Sequence, residues 1–175
     1  MTRVRMSSLL GLNREWLEHS MRTAAAATAS LLIARLLKLP EAYWASITTM
    51  VVLQSTLGGA LKVSGQRLAG TALGAAAGAL LSAYFGANVM VFTLGVFALG
   101  IVCAALRLDR PAYRFAGITL TIVMLIHYAR PAWVVALHRF VEVSVGIVVG
   151  LVLTALWPQR PAVVSVAPAV LPATP

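Results

Sequence analysis

The stretch "SGQRLAGTALGAAAGALL", residues 64–81, holds one arginine, Arg67, and then glycines at Gly70, Gly74 and Gly78 in an otherwise apolar run. Glycines beside a basic residue suggest a phosphate cradle. That chemistry needs G-x-x-x-x-G-K-[ST], or G-x-G-x-x-G after a strand, and neither pattern is present. A spacing of four instead puts the three glycines on one side of a helix, as a flat ridge that another backbone can approach closely. In lipid, where apolar surface gains nothing by leaving its surroundings, such close packing is what joins helices. Gly146 and Gly150 repeat the device near the C-terminal end.

The composition agrees with a membrane solvent. Sixty per cent of the 175 residues are apolar and only 11% are charged, against about 25% in a soluble domain. Mean hydropathy is +0.88. The net charge of +9 does not point to nucleic acid, because the basic residues stand singly at the ends of apolar runs, where they flank a bilayer. One cysteine, Cys103, excludes an intrachain disulfide and a multi-cysteine metal site.

About 20 apolar residues cross a bilayer as a helix. Six such runs are expected: residues 23–39, 43–61, 68–85, 89–106, 112–128 and 133–157, separated by short links. The second run is the least regular, since "STLGG" also suits a broken helix or a re-entrant turn. Residues 1–21 are expected to form a cytoplasmic segment. Within it, residues 8–20 carry Leu9, Leu12 and Trp16 on one side, the mark of an interfacial amphipathic helix. Residues 22–158 make the six-span module. Residues 159–175, of Pro, Ala, Val, Leu, Ser and Thr after Arg160, are expected to be a disordered tail. No cleavable leader is expected, since residues 1–11 lack a continuous apolar stretch. With the N-terminus inside, ten Lys and Arg fall on the cytoplasmic side and four outside. Both termini are therefore expected in the cytoplasm.

An internal alignment runs through the chain. "PEAYWASITTMVVL" (residues 40–53) lines up with "PAYRFAGITLTIVM" (residues 111–124), matching proline and the pairs Ala45/Ala116, Ile47/Ile118, Thr48/Thr119 and Val52/Val123. "RLAGTALGAAAG" (67–78) then lines up with "RFVEVSVGIVVG" (139–150) after a one-residue gap, matching the arginine and two glycines. The alignment reads either as a 3+3 inverted repeat, a transporter design, or as the chance likeness of apolar helices.

The polar residues within these runs are the candidates for a substrate path. Arg67, at the cytoplasmic mouth of the third span, is either a snorkelling anchor or an anion site. Arg139 lies on the sparsely charged outer side, and Glu142, three residues on, can pair with it. Glu142 can also take up a proton in a coupled cycle. Thr48, Thr49, Gln54 and Ser55 make the second span the most polar; they either join helices or line a path. Tyr43, Trp44, Trp133 and Trp157 sit at span ends, as headgroup anchors do. His127 and His138 flank the last link without metal-ligand spacing. There is no nucleophile–base pair, no metal quartet and no nucleotide loop, so no enzyme, cofactor or metal is expected.

Three motifs in order, "LPEAYWASITTMVVLQ", "SGQRLAGTALGAAAGALL" and "HRFVEVSVGIVVGLVLTALWP", resemble the fusaric acid resistance / aromatic acid exporter family over residues 22–158. The resemblance implies a six-helix module of the same broad group as plant malate-type anion channels. It implies efflux of organic anions such as aromatic carboxylates across the inner membrane. Tyr43, Trp44, Gln54, Arg67, Gly70, Thr71, Gly74, Arg139 and Glu142 match its motifs by position. Gln54 is followed here by Ser55 where the family commonly has proline. Many family exporters carry two modules and a large soluble domain, so the resemblance implies a homodimer or a partner transporter subunit. A passive anion channel and a non-transporting subunit of a larger complex are the alternatives.

Overall fold

The computed structural model describes residues 14–54, 56–126 and 130–157. The expectations for the amphipathic turn before residue 14, for Ser55, for His127 and for the tail at 159–175 lie outside the described residues. Those described form six helices: α1 (Arg14–Leu36), α2 (Tyr43–Val52), α3 (Leu57–Phe85), α4 (Val89–Ala105), α5 (Arg110–Leu125) and α6 (Ala132–Leu156). The chain is an all-α membrane protein whose outward faces are apolar, with Leu32, Leu61, Leu80, Phe97 and Val148 exposed. Helices α3 and α6 are each long and apolar enough to cross a bilayer alone.

Of the two readings of residues 43–61, one helix or a helix broken at "STLGG", the structure has the second. α2 ends at Val52, Leu53 turns extended, and α3 starts at Leu57. The reason is local. Gly58 and Gly59 fall in the first turn of the next helix, because the Thr56 hydroxyl accepts the Gly59 N–H at 3.2 Å as an N-cap. The break leaves the Gln54 carbonyl free, and the Arg22 guanidinium donates to it at 2.9 Å. The ten residues of α2 span about 15 Å, half of a hydrocarbon core of about 30 Å. α3 correspondingly begins eleven residues earlier than expected and runs to Gly86, whose φ of +66° needs glycine. α1 and α4 end alike. Lys38 and Arg107 both adopt φ of 54°, and the next N–H bonds back to Ala34 and to Cys103 respectively, the left-handed closing turn of a helix.

Two glycine seams hold the bundle. In the first, α3 lies parallel to α5. A Cβ on Gly70 would strike the Ala112 carbonyl oxygen, one on Gly74 the Ala116 carbonyl oxygen, and one on Gly78 would stand 2.9 Å from the Val123 Cβ. In the second, α6 lies parallel to α2. A Cβ on Gly146 would strike the Ala45 carbonyl oxygen, and one on Gly150 would stand 3.0 Å from the Val52 Cγ1. The Thr49 hydroxyl strengthens the second seam, within hydrogen-bond distance of the carbonyls of both Ala45 (2.9 Å) and Gly146 (3.0 Å). α1 flanks α2, with the Ser46 hydroxyl donating to the Ala27 carbonyl at 2.7 Å. α4 flanks α3 and α5 through Leu99, Ala116 and Leu120. α3 also crosses α6 antiparallel, Ala60 meeting Ile147 and Ala75 meeting Ala136.

The seams separate glycines by role. Gly74→Ala and Gly146→Ala are each expected to destabilise the bundle by about 1–3 kcal/mol, since backbone cannot yield as a side chain can. Gly117→Ala, with nothing within 4 Å of the added Cβ, is expected to be neutral or stabilising by up to about 1 kcal/mol. Thermal unfolding of the three purified variants in one detergent checks this, and an unchanged midpoint for Gly74→Ala contradicts the seam.

Candidate functional site

The polar core is built around two arginines. Arg139 lies in the second turn of α6 and is 3% exposed. Its Nη2 donates to the Glu41 carboxylate. Its Nη1 stands 3.5 Å from the second oxygen of Glu142, and its guanidinium covers the Trp44 ring at 4.2 Å from the centroid. Glu41 sits in the turn between α1 and α2. The same carboxylate accepts the Tyr43 hydroxyl at 3.0 Å and the Trp44 indole N–H at 3.1 Å. The Glu41 backbone N–H in turn donates to Glu142 at 3.0 Å. The α1–α2 turn is thus fastened to α6 by a network in which the buried charges are paired.

Arg67 is placed differently. It lies ten residues into α3, 5% exposed, and not at the end of a span. Its Nε donates to the Thr48 hydroxyl at 3.1 Å, and its guanidinium covers the Phe115 ring at 4.8 Å. Among the described residues no carboxylate pairs with it.

The expectation of two arginines at opposite mouths is corrected by this geometry. Arg67 and Arg139 line one internal pocket, together with Trp44, Thr71, Phe115, Thr119 and Val143. The shift comes from the break after α2. It starts α3 early and draws Arg67 down into the bundle, level with Thr48. The pocket has room for about one water molecule, so the helices close on it here. Arg139 also lines a second pocket, with Glu41, Glu142, His138 and Arg130, on the side of the α1–α2 turn. The Arg139 network is therefore the wall between the two.

Of the residues singled out from sequence, Trp44, Thr48, Arg67, Arg139 and Glu142 are brought together. Tyr43 reaches the network through its hydroxyl and through its ring, tilted against Trp44 at 5.7 Å between centroids, and is half-exposed. The Gln54 side chain turns back to the Val51 carbonyl at 3.3 Å, at the other end of α2. Three residues were missed. Glu41 lies in the link between the first two expected spans, with no charged partner near it in sequence. Phe115 could have been found, because the internal alignment matches it to Trp44. Arg22, counted only as a flanking charge, is 1% exposed. Its Nη2 also donates to the Thr154 hydroxyl at 3.0 Å. It thus stands at the C-terminal ends of α2 and α6, where helix dipoles are negative.

Comparison with known proteins supports the same membrane setting. A family model described as fusaric acid resistance protein-like matches residues 27–153. The chain is 35% identical over 146 residues to the uncharacterized transporter YdhK of Escherichia coli (strain K12), covering 78% of this chain and 22% of that protein. It is 28% identical over 148 residues to the inner membrane protein YeeA of the same strain, covering 81% of this chain and 41% of that protein. The chain thus spans between a fifth and two fifths of the length of these relatives. No solved structure matches it.

Removing one member of a buried ion network leaves the others uncompensated, at a cost of about 3–5 kcal/mol. Glu142→Ala is accordingly expected to lower the unfolding midpoint in detergent far more than Glu18→Ala, a change at an exposed residue of α1. Equal midpoints would remove the network from the stability of the fold.

Proposed function

The chain belongs to the fusaric acid resistance protein-like family, and from that membership we propose that it is a membrane transporter exporting organic anions, aromatic carboxylates among them. The observation that carries the reading is Arg67. A guanidinium stays charged at any physiological pH, and an ionisable group buried among apolar helices is costly unless it pairs or marks a pathway. Arg67 has a hydroxyl and an aromatic face but no acid. An incoming carboxylate supplies the missing partner, through the paired hydrogen bonds a guanidinium fork offers.

The reading extends to the setting. The pocket lies between the two halves of the internal alignment, where inverted-repeat transporters hold substrate. We take the chain as six spans in the inner membrane with both termini cytoplasmic, since the excess of Lys and Arg on the cytoplasmic side, nine to three, stands with the buried Arg67 and Arg139 left out. In its relatives the matching segment is one part of a larger protein. The module works as a homodimer or beside a partner transporter subunit. Glu142 stands beside Arg139 as the group that links a proton to the cycle.

Proteoliposomes loaded with labelled benzoate test the reading. The wild-type chain is expected to release it, faster with a pH gradient, and Arg67→Ala to release it at the rate of empty-membrane leak. Equal flux from the two proteins removes Arg67 from the mechanism. Conductive current that ignores the gradient turns the reading to a passive channel.

A further inference from the structure

The two arginines occupy sites that correspond residue by residue. Arg67, Gly70, Gly74 and Gly78 of α3 have the same spacing as Arg139, Glu142, Gly146 and Gly150 of α6. The helices they pack on correspond too. Gly74 faces the Ala116 carbonyl and Gly146 the Ala45 carbonyl, while Gly78 meets Val123 and Gly150 meets Val52. Ala45/Ala116 and Val52/Val123 are matched pairs of the alignment. Each arginine covers a matched aromatic, Arg67 on Phe115 and Arg139 on Trp44. Each arginine therefore stands on the other half's helix in the same way.

The sites differ in charge. Arg139 is held by Glu41 and Glu142. The positions matching those acids beside Arg67 are Ala112 and Gly70, and neither can carry a charge. Gly70 closes directly on the Ala112 carbonyl, so no acid side chain fits there. The open side of Arg67 is instead the shared pocket with Trp44, Thr71 and Thr119. That pocket is lined from α2, α3, α5 and α6, and a ligand larger than water enters it by parting α5 from α6, which touch over few residues.

We propose that the Arg139 site is a self-occupied copy of the Arg67 site. Glu41 and Glu142 stand where a ligand's carboxylate would stand, and the chain binds one monocarboxylate at Arg67 and none at Arg139. The ligand's carboxylate takes the Arg67 fork, with the Thr71 hydroxyl beside it. Its flat apolar body lies against Phe115 and Ile122. This rests on the anion-transport reading for its ligand class, but it concerns binding alone.

Equilibrium dialysis of tritiated benzoate against the purified full-length chain in detergent tests it without any measurement of flux. The wild type is expected to saturate at one benzoate per chain. Arg67→Gln is expected to weaken binding by about tenfold or more, the loss of a charged hydrogen-bonding partner, and Arg67→Lys to restore part of it. The double variant Glu41→Ala with Glu142→Gly, which gives the Arg139 site the residues found beside Arg67, is expected to bind two. Glu41→Gln with Glu142→Gln repeats that test with the side-chain volumes kept. Wild-type binding of two, no saturable binding, unweakened binding by Arg67→Gln, or a stoichiometry of one in a folded double variant each overturns the proposal. If neither double variant folds, Arg67→Gln decides alone. A chain that binds one benzoate through Arg67 but moves none keeps this assignment and loses the transport reading. A chain that moves benzoate yet binds it unchanged in Arg67→Gln does the reverse.

Discussion

Helices surrounded by lipid gain little by hiding apolar side chains from one another, so they must hold together by direct contact of their backbones. In this chain that constraint is met at five glycines, each set against a carbonyl or a β-branched side chain of a neighbouring helix. The rest of the architecture follows from those contacts. Setting α3 on α5 and α6 on α2 determines which faces of α3 and α6 turn inward. Arg67 and Arg139, seven residues before a seam glycine in each case, are thereby carried onto Phe115 and Trp44.

The polar groups inside the bundle show three ways of keeping a cation away from water. Arg139 is given acids from two elements, and its network also fixes the turn at Glu41. Arg22 is given carbonyl and hydroxyl oxygens at the C-terminal ends of two helices, where partial negative charge substitutes for an acid. Arg67 is given one hydroxyl and one ring face. These arrangements differ in kind, and the arginine given one hydroxyl and one ring face lines the pocket it shares with Arg139.

The glycine seams were legible in the sequence because a period of four is a local property: it depends on the helix alone and survives whatever the helix packs on. The pairing of Arg139 with Glu142 was legible for the same reason. The break after α2 was legible only as one of two readings. "QSTLGG" reads equally as the end of one helix or the start of another, and the choice rests on the Thr56 cap and on Arg22, which is 32 residues from Gln54 in the chain. Glu41 looked like a loop acid because its partner is 98 residues away. That Arg67 and Arg139 share a pocket depends on how far each helix extends past the bilayer ends. Hydropathy does not measure that, and an early start to α3 moved Arg67 inward.

The second seam has a consequence for how the molecule is made. α2 is too short and too polar to settle in lipid unaided: Thr48 and Thr49 are fully buried, and Thr49 hydrogen-bonds to Gly146, 97 residues further along the chain. During synthesis those hydroxyls are made long before the helix that shelters them. Until α6 leaves the insertion machinery, α2 has only α1 and the slight contact of α3 beside it, so the seam that shelters Thr49 cannot close from the N-terminal end alone. The last helix acts as the keystone of assembly. A lesion at Gly146 would therefore be felt first in the nascent chain, as an α2 left exposed to lipid and to quality-control proteases, before any finished protein existed to lose activity.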